Sequence, residues 1–172
     1  MNDKNKAEQT SPAPLYRHPA SYAREHGELE QYRASLHENV ACRKAIEDAI
    51  AANYVDNHLD TSCVKELTQR FGAERMKRVL AATVQVKGWD ERFSRDNRAW
   101  ASIIAVPEDA DKWGDRRAQY TVDRSHSVLT DAFITAFRRE IQQERKPIRE
   151  QLRRPAQSAP APKKPKDRNA ER

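Results

Sequence analysis

Serine, histidine and aspartate fall close together once in this chain, at Asp123, Ser125, His126 and Ser127. These are the residue types of a nucleophile, its base and an orienting carboxylate, but such a triad is defined by geometry and not by adjacency. The plainer reading has Ser125 or Ser127 capping a following helix, with His126 in the approach turn. The five histidines (His18, His26, His37, His58, His126) form no HxxxH or HxH pair. Cys42 and Cys63 form no CxxC pair. Neither a metal site nor a disulfide framework is expected, and two buried thiols are the default. Asp109 and Asp111, in an acidic run with Glu108 and Asp115, read as a solvated loop. Phosphate-cradling loops need clustered glycines, and the closest two of Gly27, Gly72, Gly88 and Gly114 are sixteen residues apart. No cofactor is implied, and an enzyme is not expected.

Binding chemistry is better represented. The run Val64 to Leu80, VKELTQRFGAERMKRVL, sets a helix, a glycine turn and a basic helix in the order of a helix-turn-helix. Leu67, Phe71 and Gly72 suit that motif. Thr68 replaces its usual small residue, and Arg78 stands where a buried aliphatic belongs, with Val79 displaced by one. A core helical hairpin with a solvated basic face is therefore favoured over a DNA-reading motif. From Lys65 to Arg98 nine basic residues face five acidic ones. The candidate contacts to nucleic acid or a partner are Lys65, Arg70, Arg75, Lys77, Arg78, Arg92, Arg95 and Arg98. Phe93 and Trp100 are interleaved with them, but at helical spacing they read as core rather than base-stacking platforms.

The net charge of +6 on 172 residues needs dividing before it is interpreted. Residues 142–172 hold ten basic and four acidic residues, which accounts for all of it, so the remainder is formally neutral. That tail also holds five of the nine prolines and too few apolar residues to offset its ordering entropy. Arg153, Arg154, Lys163, Lys164, Lys166 and Arg168 are its electrostatic contacts to a polyanion. Its first part, through Leu152, is expected to extend the preceding helix past a kink at Pro147, and the rest to be extended or disordered.

The elements that position these groups are mainly helical. Residues 1–19 are polar, contain Pro12, Pro14 and Pro19, and read as a disordered arm; residues 20–141 form the core domain. Few glycines among many Ala, Glu, Arg and Leu is the composition of helices joined by short turns. The expected order is a short helix from an N-cap at Ser21 to Gly27, then a long helix from about Glu28 to Asn53. That helix shows two displaced apolar faces, so it either kinks near Asn39 or buries both. Asp60 or Thr61 caps the next helix, and Ala73 to Lys87 follows it. Trp89, Phe93 and Trp100 form the seam of a helix broken or started near Ser94. Ile103 to Val106 and Tyr120 to Val122 flank the acidic loop and read as at most one short β-hairpin. The last core helix starts near Ser127 and turns Leu129, Phe133, Ala136, Phe137 and Ile141 inward. The fold class is a mainly α domain of about five to six helices. Chain-wide, no membrane span and no secretory leader are evident, so a cytoplasmic protein is expected.

The stretches SYAREHGELEQYRAS, NVACRKAIEDAI, HLDTSCVKELTQRFGAERMKRVLAATVQ, WDERFSRDNRAWA and VLTDAFITAFRRE carry a resemblance over about Leu15 to Glu140. They resemble a domain-of-unknown-function family of small proteins carried on conjugative and other mobile elements of gut bacteria. The resemblance offers no catalytic motif. What it implies is context, since mobile-element proteins of this size are often regulators, transfer accessories or counter-defence factors of the anti-restriction or anti-CRISPR kind.

The sequence thus predicts a non-catalytic binding protein acting on nucleic acid or a nucleoprotein complex, with a host or defence protein as a further partner and no membrane. Counter-defence is the leading specific function. A helix-turn-helix-like DNA-binding regulator or a conjugation accessory protein is the alternative.

Overall fold

Val79 to Val84 supply six consecutive buried side chains, a run that only a helix covered on several sides can carry. That helix, α4 in a computed structural model that describes residues 11–153, spans Ala73–Val86 and organises the rest. Before it come α1 (Ala20–Glu25), α2 (Leu29–Asn53) and α3 (Cys63–Phe71); after it come α5 (Arg95–Ser102) and α6 (Ser127–Arg153). A 3-10 turn spans Arg116–Tyr120. Helices α2, α3, α5 and the 3-10 turn all pack on α4. The mainly α fold class read from the sequence is the one observed.

The long second helix runs without a break from Leu29 to Asn53. Tyr32, Ser35, Asn39, Cys42, Ile46 and Ile50 form one buried stripe at three- and four-residue steps. The stripe looked broken in sequence because Ser35 and Asn39, its middle members, are polar. Its lower half joins Val64, Leu67 and Phe71 of α3, Met76, Val79 and Leu80 of α4, and Phe133, Ile134 and Phe137 of α6 in the main core. Its upper half packs with Ala20 and Ala23 of α1 in a smaller cluster.

Helices α3 and α4 meet across Gly72 alone, whose φ of 83° and ψ of 146° only glycine adopts without strain. This is the core hairpin, since its second helix is the most enclosed in the protein. At the start of α3 the Asp60 carboxylate accepts the Ser62 N–H at 2.9 Å, so Asp60 supplies the capping bond expected of it, while Ser62, the residue just before the helix, makes no side-chain capping bond.

Four local expectations need correction. Ser21 lies inside α1, whose cap position is Pro19, two residues earlier, where the fixed φ of proline suits a helix start. Trp89 is 75% exposed, because it sits in the turn after α4, where a four-residue step no longer returns to the same face. Ile103 to Val106 does not pair with Tyr120 to Val122; instead the Val122 N–H donates to Thr83 Oγ1 of α4 at 2.9 Å. The strand pairs are β1 (Tyr54–Val55) with β2 (His58–Leu59), and β3 (Ala110–Asp111) with β4 (Gly114–Asp115), the latter inside the acidic loop.

The N-terminal arm is the larger correction. Residues 13–19 form an extended strap laid over α2 and α4, and residues 1–10 lie outside the described part. The strap is held by side chains from distant elements. The Tyr16 N–H donates to Ser35 Oγ at 2.9 Å and the Tyr16 hydroxyl to Glu28 at 2.7 Å. At the other end α6 continues through Pro147 to Arg153, as the sequence suggested, while residues 154–172 lie outside the described part. No described helix is long and apolar enough to cross a membrane.

Candidate binding face

The eight cations nominated from the sequence do not form one surface. Lys65 and Arg70 are exposed on α3, with the Arg70 guanidinium 4.8 Å from the ring of Phe71. Arg95 and Arg98 are exposed on α5. Arg92 is spent on Asp90: its Nε and Nη2 donate to the two carboxylate oxygens at 2.8 Å each, and its N–H donates as well. These bonds, with one from the Ser127 hydroxyl, hold the Asp90 carboxyl well below the usual carboxylate range.

Arg75 and Arg78 are only 5% and 8% exposed and cannot read a partner. Arg75 Nε donates to Asn39 Oδ1 at 3.0 Å and its Nη2 to the Ala13 carbonyl at 2.6 Å. Arg78 Nη1 donates to the Tyr16 carbonyl at 3.2 Å. Burial lowers the pKa of both guanidiniums, yet arginine stays charged in proteins. The two residues clamp the strap to α4, so a role in nucleic-acid contact is withdrawn for both. Around Arg78 a cavity of about 20 Å³ is lined by Tyr16, Tyr32, Asn39, Asp109 and Tyr120, room for about one water. The Tyr32 hydroxyl donates to Asp109, and burial followed by that bond raises its pKa. Burial, with the bond to Glu28, pushes Tyr16 up to about 12.

The serine–histidine cluster is a helix entry. Ser127 gives its hydroxyl to Asp90 and not to His126, and Asp123 is paired with Lys87 at 2.9 Å. His126 itself takes the capping position expected of a serine, its Nδ1 accepting the Val128 N–H at 3.4 Å. Buried Glu47 braces this loop by accepting the Asp123 and Arg124 N–H groups at 2.8 and 3.0 Å. A depression of about 300 Å³ lies beside it, lined by Glu47, Asp48, Tyr54, Arg124, His126 and Leu129. Among the described residues no Ser or Cys donates to a histidine nitrogen here, and no three His, Cys, Asp or Glu side chains gather as a metal would require.

A different set of cations does converge. Two neighbouring depressions of about 250 Å³ each share Lys77, Ile103 and Ile104 and make up a two-part groove, with Ile103 standing between the halves, along α4, the end of α5 and α6. Leu15, Arg17 and Glu74 line one half; Trp100, Arg138, Ile141 and Arg145 line the other. Lys77 pairs with Glu74 at 2.8 Å, a bond that holds the Glu74 carboxyl below its usual range. Arg138 is anchored by donating to Asn97 Oδ1 at 2.8 Å and lies 5.9 Å from the Trp100 ring centroid. Asn97 is in turn fixed by Asp131 and Thr135 of α6.

Of the sequence-nominated residues only Lys77, and buried Arg78 at one wall, reach this groove. Arg17, Arg138 and Arg145 were missed. The available signal was the seven-residue step from Arg138 to Arg145, which returns to the same helical face. Arg149 and Arg153 continue that phase in the sequence, whereas Glu140, Glu144 and Glu150 fall off it. Of the nominated tail residues only Arg153 belongs to α6, and the others lie outside the described residues.

Fold and face together define a small helical domain with a cation-rimmed groove and a basic helix leading away from it. A family model described as "Protein of unknown function (DUF3849)" matches residues 15–142, and the chain belongs to that family. The match begins at Leu15, so the strap is part of the matched domain. No curated protein and no solved structure matches the chain.

Proposed function

We propose that this is a non-catalytic binding protein that acts on nucleic acid or a nucleoprotein complex in the cytoplasm, with α6 as its phosphate-facing element. The observation that carries the reading is the arginine phase on α6: Arg138 and Arg145 share one face, and in the sequence Arg149 and Arg153 fall in the same phase while the glutamates fall off it. Such a stripe meets a polyanion along its length and runs directly into the basic tail. The resemblance to mobile-element proteins makes counter-defence, by occupying a nuclease complex as an anti-CRISPR or anti-restriction factor does, the specific form of this proposal. The helix-turn-helix alternative is weakened because α4, its reading helix, is enclosed.

The test is a fluorescence-anisotropy titration of a labelled DNA duplex with the full chain at several salt concentrations. Each phosphate contact contributes about −0.9 to the slope of log affinity against log salt. Replacing Arg145, Arg149 and Arg153 with Ala is expected to flatten the slope by about 2 to 3 and to weaken binding equally across sequences. An unchanged slope and affinity would remove α6 from the mechanism.

A further inference from the structure

We propose that the groove between α4, α5 and α6 is a docking site for an acidic amphipathic peptide segment of a partner protein. The inference deepens the nucleoprotein reading, since it assigns the protein half of such a complex to the groove, with Arg138 and Arg145 at its rim, and leaves the phosphates to the later positions of the same helical phase, Arg149 and Arg153.

The apolar lining decides against a nucleobase. Its most open member is Ile103, 83% exposed, an aliphatic that offers neither a stacking face nor a hydrogen bond. Trp100 is no platform either. Arg138 lies over its ring, and Phe137 meets it at 6.3 Å and 70°. Sequence-tolerant binding of single strands depends on open aromatic faces, which this groove lacks. Ile103, Ile104, Ile141 and Leu15 suit instead the apolar side chains that a helical or extended peptide presents at intervals.

The rim decides the sign of the partner. Four cations (Arg17, Lys77, Arg138 and Arg145) line the groove, with Arg78 buried in one wall, against the single carboxylate of Glu74. An uncharged apolar partner would strip water from these cations without pairing them, and a basic one would be repelled. A segment with carboxylates flanking its apolar face satisfies both requirements.

Two occupants from this chain fit less well. Residues 154–172 carry six basic and two acidic residues, the same sign as the rim. The hairpin β3–β4 of a second copy offers an exposed Trp113, but its Asp111 and Asp115 are already paired with Arg116 and Arg117 at 2.8 and 2.7 Å.

The experiment selects from a displayed library of random peptides against the immobilised full-length chain. Affinities of the enriched peptides are then measured for wild type, Ile103→Glu and Arg17→Glu. The expected result is enrichment of peptides with apolar residues at three- and four-residue steps and an excess of Asp and Glu. Their affinity is expected to fall at least tenfold on either variant, with thermal melts unchanged. Neutral or basic winners, no enrichment, or affinities indifferent to both variants would overturn the proposal. Loss of duplex-DNA binding in Ile103→Glu would hand the groove to nucleic acid, and a concentration-dependent dimer dissolved by Ile103→Glu would hand it to a second copy. Peptide binding that persists while the α6 arginine variants leave DNA affinity unchanged would sink the phosphate reading alone.

Discussion

Arg75 and Arg78 on α4 and Arg138 and Arg145 on α6 look alike in sequence, pairs of arginines on amphipathic helices, yet they serve opposite sides of the molecule. The α4 pair is turned inward, where both residues are buried and donate to backbone carbonyls of the strap. The α6 pair lines an open groove. Enclosure makes the difference. Helix α4 is packed on several sides, so Arg75 and Arg78 meet protein, whereas from Gln142 to Lys146 α6 is exposed and its cations meet solvent. A cation's identity and local helical phase are therefore insufficient to place it. The number of neighbours around its helix must be known as well.

The sharpest way to break this contrast is Arg78→Ala. Removing a buried guanidinium leaves the Tyr16 carbonyl without its donor, and a loss of about 2 to 3 kcal/mol is expected in urea unfolding. A loss near zero would mean that the strap is held without the clamp.

A smaller effect is expected from acid, because Arg92 is another nominated cation committed to a protein partner, the buried Asp90. Its bonds hold Asp90 below the ordinary carboxylate range, so that contribution is complete above about pH 4 and is lost as pH falls toward the folded value. Thermal melts from neutral to acidic pH should therefore show a steeper loss for wild type than for Asp90→Asn. Parallel curves would show that the pair contributes nothing.

The smallest effect belongs to the outward set. Arg17→Ala and Arg145→Ala should each change stability by less than about 0.5 kcal/mol, as surface substitutions do. A larger loss in a urea titration would mean that the rim is structural and that the two regions do not differ in kind.

The helical elements were legible because their apolar periodicity survives into the sequence: Val64, Leu67 and Phe71 in α3 and Phe133 and Phe137 in α6 are buried as spaced. The features that were not legible each depend on distant partners. The strap has no pattern of its own, since its order comes from Ser35, Arg75 and Arg78. The β1–β2 hairpin did leave a signal, because Asp56 and Asn57 have φ of 52° and 60°, the two left-handed residues of a tight hairpin turn. Two-residue strands are too short for alternation to reveal the rest. The groove was invisible because Ile103 and Arg17 are brought together by chain segments more than eighty residues apart.

The strap also bears on how the molecule assembles. Its anchors lie at Ser35, Arg75, Arg78 and, through the Ala20 N–H at 3.3 Å, Asp109, so the segment precedes by up to 89 residues the surface that receives it. Closing so long a loop yields little until α2 and α4 are in place, and ordering the strap earlier would cost entropy without return. The seat is therefore expected to form first, with the strap, first along this part of the chain, fastening late in folding.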